Sequence, residues 1–134
     1  VTGPEGAYLI ARILISAVWV AAAAYRAAHV RQTLLEMEGL GIPLARFLLP
    51  LVIALEIAGA SCMLADYYVW AAAIVWLALL VPASYVYHVR FMIRDGAIDF
   101  TQYLAFWKNV SMAGGLIALI LLDASRPAWL FTPA

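Results

Sequence analysis

Glu56 stands near the middle of an almost wholly apolar stretch, Phe47 to Leu64, FLLPLVIALEIAGASCML. An ionised acid at the centre of a membrane helix costs about 2.5–3.5 kcal/mol on insertion scales. Such a carboxylate must face other protein, meet a cation, or keep its proton. Two chemistries follow. Glu56 is a proton-exchanging or ligand-binding group inside a bundle, or it is one half of a structural ion pair. At about 1.5 Å per residue it lies roughly 14 Å from either end of its stretch. Arg12 and Lys108 lie inside neighbouring apolar stretches and are the expected partners. Arg26 is close to the end of its stretch and reads as a cation that snorkels to the surface.

A second set of polar residues gathers around His88. Tyr85, Tyr87, His88 and Arg90 crowd the end of the third apolar stretch, and His29 ends the first at a similar depth. Two histidines at one level of a helical bundle can ligate a haem. No glycines flank them to admit the macrocycle, so haem is not favoured. His88 reads instead as an interfacial hydrogen-bonding group or a donor to a quinone carbonyl. His88, Glu36 and Glu38 fit no known ligand spacing, so no metal site is expected. Gln102, Lys108 and Asn109 carry polar groups into the fourth stretch. Adjacent helical side chains diverge by about 100°, so Lys108 and Asn109 need separate partners. Ser111, Gly114 and Gly115 allow close helix approach. Arg12 and Ser16 share a face at i, i+4, and Trp19 continues it.

The elements that must position these groups follow from composition. The 134 residues are 67% hydrophobic and only 12% charged, with a mean hydropathy of +0.96. A soluble domain is about half apolar and a quarter charged, so this is an integral membrane protein of one domain. Net charge is zero and no basic run is present, which argues against a nucleic-acid partner. Cys62 is the only cysteine and reads as a packing residue. The absence of an initiator Met at Val1 suggests processing or a preceding segment.

Four spans are expected, over about 8–28, 47–65, 69–90 and 102–122, forming an all-α antiparallel four-helix bundle in the bilayer. Ala22-Ala23-Ala24 resembles a signal cleavage site, but the first run is long enough to span. VTGPEGA reads as a polar lead and RPAWLFTPA as a short tail. His29 to Arg46 reads as a surface segment, ended by Gly39, Gly41 and Pro43. Pro50 falls in the first turn of its span, and Pro82 is expected to kink the third. Tyr67, Tyr68 and Trp70 fit an interfacial belt. Arg26, Arg31, Arg46, Arg90, Arg94 and Lys108 lie near the two long loops, while Arg12 and Arg126 lie near the termini. The positive-inside rule then puts the long loops in the cytoplasm and both termini outside.

Four segments together resemble the DoxX family of small four-helix membrane proteins. They are ARILISAVWV, GLGIPLARFLLPLVIALEIAG, YVYHVRF and QYLAFWKNVSMAGGL, in the family's order and spacing. Ala23 and Arg26 stand near where the family usually has a glycine and then a lysine. Arginine keeps the charge but does not release its proton. The resemblance implies Glu56, His88, Gln102, Lys108 and Asn109 as an interior polar set, in a bacterial-type inner membrane. The family is named for a subunit of a membrane thiosulfate:quinone oxidoreductase, and other members look like partners of redox or stress-response proteins.

Two functions follow as expectations. One is a membrane subunit of a quinone-linked electron-transfer system. There, Glu56, His88 and Lys108 are the candidate chemical groups, and Tyr85, His88, Gln102 and Asn109 hold the quinone. The alternative is a non-catalytic accessory subunit that packs into a larger membrane complex, consistent with short loops and five Trp. A small transporter or channel is less supported, since no duplicated half is present.

Overall fold

Long apolar runs cannot leave backbone amides unpaired in lipid, so each must close its hydrogen bonds internally as a helix. The computed structural model of the chain describes residues 3–126. Its helices are α1 (Gly3–Ala28), α2 (Val30–Gly39), α3 (Ala45–Ala65), α4 (Val69–Tyr87) and α5 (Phe100–Ala124). A 3-10 turn, Val89–Phe91, extends α4, and a small antiparallel hairpin, β1 (Ile93–Arg94) and β2 (Ala97–Ile98), precedes α5. α1, α3, α4 with its extension, and α5 are each long and apolar enough to cross a membrane. The chain is an all-α, multi-pass membrane protein.

The helices begin and end where local chemistry allows. α1 starts at Gly3, earlier than the expected Tyr8. Pro4 sits in its first turn, where its missing N–H is harmless, and Glu5 faces the positive helix end. The expected polar lead is therefore helical from Gly3, and the tail beyond Arg126 lies outside the described residues. Gly41 (φ 77°) and Leu44 (φ 55°) turn the chain from α2 into α3. Asp66 (φ 58°) and Tyr68 (φ 51°) reverse it between α3 and α4. α4 runs unbroken through Pro82. Asp95 and Gly96, both at positive φ, make the two-residue turn of the hairpin, the usual role of an Asp-Gly pair. Asp99 caps α5 by accepting from the Gln102 amide at 3.2 Å.

α1 packs on α3, α3 on α4, and α4 on α5, while a lighter α1–α5 contact closes the ring. At the centre Trp19 and Trp76 stack with ring centroids 4.6 Å apart and planes 12° from parallel. Trp76 is fully buried, as are Met63, Ala73 and Leu116 in the same core cluster. α2 lies across one end, where Met37 packs on Ala45 and Leu49 of α3. α5 is the least covered span: 11% of its apolar window is buried, against 28% in each of the others.

Candidate functional site

Glu56 is on the inner face of α3 and its side chain is 2% exposed. Its Oε1 accepts a charge-assisted hydrogen bond from Arg26 Nη1 on α1. This corrects the expected partners. Neither Arg12 nor Lys108 reaches Glu56, and Arg26 turns inward instead of snorkelling. Glu56 Oε2, Trp19 Nε1 and Ser16 Oγ are buried and make no hydrogen bond among the described residues. With Arg12 they place the polar groups of α1 on its buried face, since Arg12, Ser16, Trp19 and Ala23 are all buried.

Arg12 belongs to a separate charge network at the end of the bundle that holds the start of α1 and the finish of α5. Its guanidinium donates to the Met63 carbonyl at 2.8 Å and lies 3.2 Å from Asp66. Arg126 grips Asp66 with two parallel bonds of 2.5 and 2.7 Å, the bidentate fork that suits a carboxylate. Buried Asp123 accepts from Tyr8 Oη at 3.3 Å and from the Trp70 amide at 3.1 Å. Arg12 and Arg126 each lie under 5 Å from the Tyr8 ring centre. The network fastens α1, the α3–α4 turn and the end of α5 together. Asp66 and Asp123 were not singled out by sequence; Asp66, next to the end of a span, was the available signal.

The hydrogen bond from Arg126, with the charge of Arg12 behind it, holds the Asp66 carboxyl below the usual carboxylate range despite partial burial. A depressed folded-state value means the stabilisation is present above the unfolded value, about 3.9, and is lost as pH falls through the folded one. Thermal melts of the protein in detergent are expected to hold steady from pH 7 to about 5 and drop below about 4. In Asp66→Asn, which keeps the left-handed backbone tolerable, that part of the acid loss is expected to vanish. An identical acid profile in the variant would remove Asp66 from the account.

The remaining candidates divide between an interface and the outer surface. His88 Nδ1 donates to Gln102 Oε1 at 2.8 Å, joining the end of α4 to the first turn of α5. Further along that interface Asn109 Nδ2 donates to Ser84 Oγ at 2.9 Å, and Ser84 donates to the Leu80 carbonyl. Ser84 was missed by sequence reasoning because a lone Ser in an apolar span usually bonds its own helix. Tyr85 is 59% exposed on the outer face of α4. Lys108 is exposed on α5 and has no hydrogen bond or ion pair among the described residues. Lys108 therefore stands outside the interior polar set expected with Glu56, His88, Gln102 and Asn109, and Tyr85 stands apart from the residues expected to hold a quinone with it. His29 bonds the Tyr25 carbonyl at 2.9 Å and stacks on the Tyr25 ring.

These features define a small multi-pass membrane protein whose helices are joined by internal charge pairs. The DoxX family profile matches residues 7–89, from α1 to the turn after α4. The chain belongs to the DoxX family. It is similar to inner membrane protein YqjF of Escherichia coli (strain K12), 28% identical over 113 residues, which cover 84% of this chain and 81% of that protein. No solved structure matches it. The family match includes Arg12, Arg26, Glu56 and His88 and ends before Gln102, Lys108 and Asn109.

Proposed function

We propose that the chain is a non-catalytic accessory subunit that docks through α5 against a larger membrane complex. The setting is a bacterial-type inner membrane with both termini outside. Lys108 carries this reading. Its backbone lies about 12 Å along the helix from Phe100, and its charge is on the outer surface. An ammonium left facing acyl chains is costly, whereas a carboxylate on a neighbouring subunit would offset that cost. Gly114 and Ala118 lie four residues apart on the same helix, both exposed, a small-xxx-small spacing that lets another helix approach. The low burial of α5 agrees with a further partner there.

A second reading, a subunit of a quinone-linked electron-transfer system, is favoured by His88. With Nδ1 directed at Gln102, Nε2 has no other hydrogen bond among the described residues. A neutral ring so held offers Nε2 as an acceptor for a quinol hydroxyl. Tyr85 and Lys108, on the outer surface, do not join it, so the fit to a quinone headgroup rests on His88 and Gln102.

One preparation separates the two readings. Extracted from its native membrane in mild detergent, the chain is expected to migrate with a larger stoichiometric partner. Lys108→Leu and Gly114→Leu are each expected to release it. Extracted quinone is expected to be well below one per chain. A free chain carrying one quinone, lost in His88→Ala, would overturn docking in favour of the quinone reading.

A further inference from the structure

Between α1, α2 and α3 runs an apolar groove of about 530 Å³ that opens on the outside of the bundle. Its long wall is a stripe on α3: Arg46, Leu49, Ile53 and Ile57, spaced i, i+3, i+7 and i+11. Val30 and Leu34 of α2 form the facing wall. Val30 and Ile57 are each about half exposed, at 50% and 53%, so the groove is continuous with the surrounding lipid. The stripe covers about 16 Å, close to half of a hydrocarbon core of about 30 Å. It is as long as one leaflet is deep.

Only one end of the groove is charged. The Arg46 side chain is 81% exposed there, and its nearest acid, Glu38, is 3.8 Å away and itself exposed. Such a surface pair is worth little and yields to a better anion. A site with an exposed cation at one end, and a leaflet-deep apolar channel running from it, matches one ligand chemistry. The ligand has an anionic phosphate head and an acyl tail.

We infer that this groove binds one anionic phospholipid, its phosphate on Arg46 and one acyl chain along α3 as far as Ile57. The site is built from α1, α2 and α3 with no residue of α5, and does not depend on docking through α5. Each methylene that leaves a looser environment for the groove adds packing contacts, while Arg46 selects the head by charge. The loop end of the bundle also carries most of the basic residues, which raises the local concentration of anionic lipid.

Native mass spectrometry of the purified full chain tests this, using equal amounts of phosphatidylglycerol and phosphatidylcholine with the same tails. The protein is expected to retain one phosphatidylglycerol in preference to phosphatidylcholine. Arg46→Gln is expected to reduce the phosphatidylglycerol adduct about tenfold, the loss of one charge-assisted hydrogen bond. Because that side chain is exposed, the variant keeps its fold. Ala54→Trp, which fills the groove wall, is expected to remove both adducts, whereas Leu121→Trp on the exposed face of α5 leaves them. Equal phosphatidylglycerol retention by Arg46→Gln would overturn the assignment. So would equal effects of the two tryptophans, or a lipid-free dimer, which would give the groove to a second copy of the chain.

Discussion

Arg26→Ala is expected to destabilise the bundle by about 3–5 kcal/mol, because it leaves the buried Glu56 carboxylate without its cation. Glu56 has no other partner to turn to: Oε2 is buried without a hydrogen bond among the described residues. Arg26→Lys keeps the charge and is expected to cost under about 1 kcal/mol. The double variant Arg26→Met with Glu56→Leu removes both charges and is expected to recover most of the loss. Reversible unfolding in bicelles, by steric trapping, measures all three. A loss below about 1 kcal/mol for Arg26→Ala would mean that Glu56 is comfortable without the guanidinium. The internal ion pair would then be a minor element of the fold.

The second large effect is at the tryptophan pair. Trp76→Ala is expected to cost about 3–5 kcal/mol, since it empties a fully buried site. In lipid that cost is lost packing, because burial from water no longer drives helix association. Gly59 explains how the ring fits. A Cβ there would stand 2.4 Å from Trp76 Nε1 and 2.6 Å from Cε2. The ring cannot give way, as Trp19 covers its face and its Nε1 donates to the Leu55 carbonyl at 3.3 Å. Gly59→Val is therefore expected to destabilise by about 1–3 kcal/mol through overpacking. In the double variant Gly59→Val with Trp76→Ala, the valine enters the vacated space. Its loss is expected to be smaller than the sum of the singles, and strict additivity in the same assay would refute direct contact.

Glu56 shows where counting along the chain stops being informative. Its depth was read by assuming that the spans begin at one level. In the structure α2 packs on the first turns of α3, through Met37, Ala45 and Leu49. α1 therefore meets α3 further along, and Arg26, almost at the end of α1, falls opposite the middle of α3. Arg12 is displaced in the same sense and meets Met63 and Asp66 instead. Tyr85 and Lys108 illustrate a second limit. In spans that are apolar all round, hydrophobic periodicity marks no inner face, so the direction of one polar side chain is not encoded locally.

The sequence by itself determined the solvent, the four runs long and apolar enough to cross it, and the presence of an acid that must be answered. Each of these follows from run length, backbone closure or the cost of a charge in lipid, which act within one segment. Which base answers Glu56, and which polar groups stand outside, was decided only by the tertiary structure. Those outcomes depend on the axial offset and rotation of one helix against another, and both are set by the packing of α2 on α3 and of Trp76 on Gly59.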